Sequence, residues 1–443
     1  MKVARWKVVG LAGALALGYV ASADAAQIKV SDETWANFGL QMKIWYKNLD
    51  KRSNSTSAGG WTQNKFDVGN AKIYFTGQVT PIFQFYGEFD QENSADSSKT
   101  SVGEAGINLA FAKEFQVLAG KIRKPFTRAQ LSSGYAYLTP QGYWLDPQDG
   151  LKAIKAALGS TDQGLMIHGD LAGGMFRYRV GVYNEDRSNA TKFWNGNGST
   201  GWTNYNFVGG KLNDKKNFEW NARIEFTPTM LGFKPESAAT TTAKIGDTYL
   251  GSKDVFTIGL GYHTETHTPK FNATAGIGDL KRKGWTVDAM FEKKYGNVVP
   301  NLQIGYISLS DSHYYKKYQW NGTAWINDLT KVKKGDSDIW YVTGQLLFDQ
   351  VVWLGKPAIA FRYEKITGDG QWTNNSTLKK DLTTETFGLA FNYYIKGQAA
   401  RISLGFDQTK YKDALKYFLK NGDSKTKYED SITDWYLYLQ SQF

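Results

Sequence analysis

The stretch TWANFGLQMKIWYK, residues 34–47, sorts its side chains by parity. Ala36, Phe38, Leu40, Met42, Ile44 and Tyr46 fall on one side of an extended chain, while Asn37, Gly39, Gln41, Lys43 and Lys47 fall on the other. A helix, turning about 100° per residue, would scatter both sets. Period two over this length predicts a strand with one apolar and one wet face.

The pattern recurs sixteen times. Alternating runs bounded by Gly, Asn, Asp or Pro predict strands at 34–47, 66–79, 82–91, 102–112, 115–123, 163–171, 175–184, 217–227, 254–263, 284–295, 299–309, 337–348, 358–367, 384–395, 398–408 and 433–443. Most reach the roughly 9 to 11 tilted residues that cross an outer membrane. The connectors also alternate. Thr80-Pro81, Lys113-Glu114, residues 172–174, Gly296-Asn297 and Lys396-Gly397 are short, and all fall on the side taken as periplasmic. Long polar links at 48–65, 124–162, 185–216, 264–283, 310–336, 368–383 and 409–432, with a shorter one at 92–101, fall outside. Short periplasmic turns and long external loops are the habit of bacterial barrels. The linker from Pro228 to Lys253 breaks it, and is expected to hide a strand pair or an ordered insertion.

A mean hydropathy of -0.46 fits such a barrel, because each spanning strand averages a lipid face with a wet one. The expected fold class is all-β, a 16-stranded antiparallel transmembrane β-barrel. Basic MKVARWK, apolar VVGLAGALALGYVA and small Ala23-Asp24-Ala25 predict a signal peptide over 1–25, leaving 26–443 as the barrel domain of an exported protein. At the other end, DWYLYLQSQF puts Trp435, Leu437, Leu439 and Phe443 on one face. That ending resembles the strand signature read by the barrel-assembly machinery, and the outer membrane is the expected location. A soluble barrel with its apolar face inward is the competing pattern; the signal segment, strand number, loop asymmetry and terminal Phe weigh against it.

Composition narrows the partners. Lys+Arg 53 against Asp+Glu 42, a net charge of +11, permits nucleic acid, anionic membrane or anionic solutes. No block of more than three consecutive basic residues appears and the aromatics are spread along the chain, which sets nucleic acid aside. With no cysteine, disulfides and thiolate metal sites are excluded. His263 and His267 in YHTETHT would lie about 13 Å apart on a strand, too far to share a metal. No cofactor, metal or catalytic residue is expected, and an outer-membrane hydrolase is the least favoured reading.

AKIYFTGQVTPIFQFYGEFDQE (71–92), VLAGKIRKPFTRAQLSSGYAYLTPQ (117–141) and GMFRYRVGVYNED (174–186) resemble, in order and spacing, the phosphate-selective porin O and P family. The Gly-Lys-x-x-x-Pro-Phe stretch is the strongest element. The resemblance implies a 16-stranded, usually trimeric, anion-selective outer-membrane porin. It also implies a third external loop folded inward to narrow the channel.

Candidate site residues follow from charge. A Lys or Arg on the lipid face at the bilayer midplane costs roughly 2 to 4 kcal/mol, so strand phase should turn Arg177, Arg179, Arg223, Arg362 and Arg401 inward, with Lys43, Lys72 and Lys294. Glu88, Asp90, Asp170, Glu219, Glu225, Asp288, Glu292, Glu364 and Asp407 share that phase, so the wall is nearly balanced and cross-strand pairing is its plain reading. The third loop tips the balance. It carries Lys124, Arg128, Lys152 and Lys155, with Lys121 and Arg123 at its root, against Asp146, Asp149 and Asp162. DGLKAIKAAL is expected to form a short helical turn with its two lysines on one face, and Pro125 to end the fifth strand. The expected function is passive diffusion of small anions, phosphate or other inorganic ions, past these cations. A general or sugar-type diffusion porin is the alternative, although the clearest aromatic rows lie on apolar faces, where lipid-interface girdles account for them.

Overall fold

The computed structural model describes residues 26–52, 61–94, 97–141, 159–184, 195–197, 201–203, 217–236, 244–267, 280–323, 325–373, 378–413 and 431–443. Residues 1–25, and with them the expected signal peptide, lie outside these. So do Lys152, Lys155 and the rest of 142–158, including the expected helical turn.

Among the described residues sixteen strands form the barrel, each at a predicted place. They are β1 (Trp35–Arg52), β2 (Trp61–Gln78), β3 (Phe83–Ser94), β4 (Ser97–Ala110), β5 (Gln116–Arg123), β6 (Thr161–Leu171), β7 (Phe176–Asn184) and β8 (Phe218–Phe226). The second half comprises β9 (Val255–His267), β10 (Leu280–Glu292), β11 (Val298–Trp320), β12 (Trp325–Phe348), β13 (Lys356–Thr373), β14 (Leu378–Lys396), β15 (Ala400–Lys412) and β16 (Ser431–Gln442). Each pairs antiparallel with its sequence neighbours, and β16 returns to β1 in the register Trp435↔Asn48 to Gln442↔Gln41. Closure removes every sheet edge within the ring, the condition for strands to cross lipid.

The C-terminus locks the seam. Phe443 exchanges backbone bonds of 3.0 Å each way with Leu40, and Tyr74 Oη donates to its carbonyl at 2.8 Å. A short strand, Ala26–Lys29, pairs with Trp35–Phe38 of β1.

Parity divides the wall as predicted. In β7 Phe176 and Val180 face out, while Arg177 and Arg179 are buried within. The same alternation exposes Trp220 and Ile224 of β8 and buries Glu219, Arg223 and Glu225. Aromatics line up across strands on the outer face, where Trp285, Tyr306 and Trp340 stand 5.0 and 4.4 Å apart in sequence. No helix among the described residues is long and apolar enough to cross a membrane, so the crossing belongs to the strands.

The connectors differ from expectation in two ways. Several expected external loops are strand: β11 and β12 run 23 and 24 residues and project as a ribbon through most of 310–336, and β1 and β2 likewise extend into 48–65. Alternation weakens beyond the lipid because neither face there is held to be apolar, so strand ends were not legible. The described parts of the 228–253 linker, 228–236 and 244–253, form no strand pair. After the turn Thr229–Leu231 the linker leads to buried Glu236, Ile245, Asp247 and Thr248.

Candidate functional site

The third external loop leaves β5 at Arg123. Lys124 N makes a last backbone bond to Ser160 O at 3.0 Å, and Pro125, which has no N–H, follows where pairing stops. The chain then turns into the lumen. Thr127 caps the single helical turn α1 (Arg128–Leu131) in a capping box with Gln130. Phe126 is fully buried and packs with Ile307, Leu309, Ile339 and Tyr341 of the opposite wall. Gly261 makes that crossing possible: a Cβ there would stand 2.0 Å from the Phe126 carbonyl oxygen.

A loop inside a barrel must satisfy its backbone carbonyls without a ladder. Wall donors do this. Arg123 donates to the carbonyls of Gln130 (2.6 Å) and Ser132 (2.8 Å), Lys43 to Gly134 (2.8 Å), Gln440 to Tyr135 (3.0 Å), Arg401 to Tyr137 (2.6 Å) and Asn392 to Leu138 (2.8 Å). The loop is thus held from Gln130 to Leu138.

Most of the predicted cations are paired with carboxylates. Lys124 meets Glu219 at 2.9 Å, and Arg128 meets Glu236 while also donating to Gln303 and to the Gly246 carbonyl. Arg177 forks onto Asp170, Arg179 meets Glu225 at 2.9 Å, and Arg223 grips Asp288 at 2.6 and 2.8 Å. Arg362 reaches Asp407 at 2.9 Å. Arg401 lies over the rings of Tyr438 and Tyr394, 5.2 and 5.8 Å from their centroids. Two positions depart from the sequence reading. Lys121 shares its phase with outward Ala119 and reaches the Val102 carbonyl, because Leu118 and Ile122 take the inner face of β5. Lys294 sits in the exposed turn after β10, paired with Asp349, rather than on the wall.

Among the described residues a cavity of about 340 Å³ lies between the third loop and the β1–β3 wall. Lys43, Lys47, Lys72, Arg123 and Lys244 line it, with Asp67 and Glu88, and Trp45, Tyr135 and Tyr137 complete it. Of the nine predicted site cations among the described residues, only Arg123 is brought here. Lys43 and Lys72 were legible from strand phase, and Lys47 shares that phase. Lys244 carried no signal, since nothing in its sequence says that a periplasmic linker enters the lumen. Tyr137, half-buried in the loop, has its hydroxyl pushed up to about 12 by desolvation, which outweighs the opposing pull of Arg123. It remains neutral beside the lysines at physiological pH.

Residues 37–203 match the family model of phosphate-selective porin O and P. An uncharacterized protein of Aquifex aeolicus (strain VF5) is 26% identical over 344 residues, 76% of this chain and 69% of that protein. Among solved structures, the anion-selective porin from Comamonas acidovorans covers 92% of this chain and 100% of its own at 9% identity, with a TM-score of 0.47. The outer membrane channel DcaP of Acinetobacter baumannii covers 94% of this chain and 99% of its own at 10% identity, with a TM-score of 0.46. Residues 37–203 contribute β1 to β7 of a closed sixteen-stranded barrel with an apolar outer belt, and the chain is an outer-membrane porin, akin over those residues to the phosphate-selective porin O and P family.

Proposed function

We propose that the barrel favours small inorganic anions, phosphate-sized oxyanions among them, and passes them by passive diffusion through the cavity beside the third loop. The observation that carries this reading is the lining itself, where five cations face two carboxylates. In a narrow passage with low-dielectric walls such an excess focuses its field on the permeating ion. Lysine ammonium groups can replace part of the hydration shell of an oxyanion and release it again, whereas the paired wall arginines hold the third loop and the barrel in shape. Arg123 does both, bracing the loop and facing the passage.

A sugar-type slide needs open ring faces. Here Lys47 Nζ stands over the Trp45 ring, 4.7 Å from its centroid, and Lys43 Nζ over Tyr135 at 4.4 Å, so the aromatics of the passage present cations to it. The arrangement supports a channel rather than an enzyme. Assembly as a homotrimer, and recognition of the Phe443 strand by the barrel-assembly machinery, belong to the same proposal.

Planar-bilayer recording tests it. Across a KCl gradient the reversal potential should report chloride preference, and phosphate and sulfate should each reduce the chloride current in competition. A reversal potential of the cation-selective sign would reject the proposal.

A further inference from the structure

Every cation of the passage but one comes from a strand or from the root of the third loop. Lys244 comes from the periplasmic linker between β8 and β9. Its Nζ lies 2.9 Å from Glu88 Oε2 and 3.3 Å from Glu104 Oε1. Glu88 also meets Lys72 at 2.8 Å, and Glu104 meets Arg123 at 2.8 Å. Lys244 therefore bridges two ion pairs that would otherwise be separate.

Its position is fixed from both sides. Ile245, 2% exposed, forms a parallel bridge with Ser132 of the third loop, with bonds of 3.1 Å from Ile245 N to Leu131 O and from Ser133 N to Ile245 O. Two residues on, the Asp247 carbonyl accepts from Asn301 (2.8 Å) and Gln303 (2.7 Å) of β11, and its carboxylate accepts from the Ser132 hydroxyl. Before the bridge, Glu236 meets Arg128. An external loop and a periplasmic linker thus meet inside the barrel as two edges of one partition.

The geometry points to the linker as a selectivity element: it supplies in Lys244 half of the excess positive charge that favours anions in the passage. This rests on the anion reading above. The argument is charge balance. Lys43, Lys47, Lys72, Arg123 and Lys244 line the opening with Asp67 and Glu88, while Asp90 and Glu104 stand one step behind, at 3.2 Å from Lys72 and 2.8 Å from Arg123, as does Lys65, 3.4 Å from Asp67. Six cations then face four carboxylates, and without Lys244 five face four, so the excess of positive charge falls by half. Lys43 and Arg123 differ from Lys244 in that they also hold loop carbonyls.

Two measurements test this together. In the cysteine-free chain, Ser132→Cys with Ile245→Cys should cross-link on mild oxidation in outer-membrane vesicles, seen as a mobility shift on a non-reducing gel. Absence of the cross-link in a barrel that has folded overturns the inference. In planar bilayers under a KCl gradient, Lys244→Gln should lower the chloride-to-potassium permeability ratio at least about twofold and Lys244→Glu, which leaves five cations against five carboxylates, should abolish the preference. Lys234→Gln, an exposed lysine of the same linker, should leave the ratio unchanged. An unaltered ratio in Lys244→Glu, with the wild-type chain anion-selective, overturns the role of Lys244 while the anion reading stands. A wild-type chain without anion preference overturns that reading, and the cross-link still reports where the linker lies.

Discussion

Arg128, on the third external loop, and Glu236, on a periplasmic linker, form an ion pair inside the barrel with both side chains 1% exposed. Neither element can leave the lumen without stripping a buried charge of its partner, which typically costs about 3 to 5 kcal/mol. Glu236→Gln should therefore loosen the partition. We expect a lower temperature of barrel unfolding in a heat-modifiability gel, with noisier and larger single-channel currents. Replacing both partners, Arg128→Met with Glu236→Leu, should restore much of the thermal stability, because no charge is then left buried alone.

Gly261 tests whether the third loop depends on close approach to the wall. A Cβ at 2.0 Å from the Phe126 carbonyl oxygen requires the loop backbone to move. Gly261→Ala should displace Phe126 from its pocket among Ile307, Leu309 and Ile339 and raise the conductance of a barrel that still folds. An unchanged conductance would show that the loop yields without opening the passage.

Lys124 is held charged by Glu219. Burial pushes its ammonium pKa down as the largest single effect, but Glu219, Glu265 and Asp162 together outweigh it and leave the value above the ordinary lysine one. A folded-state pKa raised in this way stabilises the barrel fully below the unfolded lysine value of about 10.4, and that stability is lost as pH rises through the higher folded value. Stability curves between pH ~6 and pH ~9 should thus show no step from this pair. Lys124→Met, leaving Glu219 without its ammonium, should cost about 3 to 5 kcal/mol, and adding Glu219→Leu should recover part of it. Urea unfolding of the two variants side by side measures the difference.

Wall arginines and passage lysines should separate by readout. Lys72→Gln changes the lining, so the reversal potential should shift toward the cation side with a modest change in stability. Arg223 is bound to Asp288 and Glu225 and shielded from the passage, so Arg223→Gln should lower the unfolding midpoint with little shift in reversal potential. If Arg223→Gln moved selectivity more than Lys72→Gln did, the wall rather than the cavity would be the filter.

The sixteen strands, their order and their inward and outward faces were legible in the sequence, because lipid on one side and water on the other force period two onto every spanning segment. Phe176 and Val180 against Arg177 and Arg179 show the rule at its plainest. Pro125 marked the end of β5 for an equally local reason, its missing N–H. What the inward charges do was not legible. Parity places Arg223 and Asp288 on the same face, but only tertiary structure puts them 2.6 Å apart. The basic cluster around Pro125 read as a filter, yet folding spends Lys124 and Arg128 on buried carboxylates and leaves Arg123 alone of that cluster at the passage. Lys244 illustrates the limit best. Its neighbours carry no periodicity, and its place among Glu88 and Glu104 is set by contacts with strands and a loop far away in sequence. Alternation is a property each strand carries alone, whereas the passage is a sum over charges that only the closed barrel brings within reach of one another.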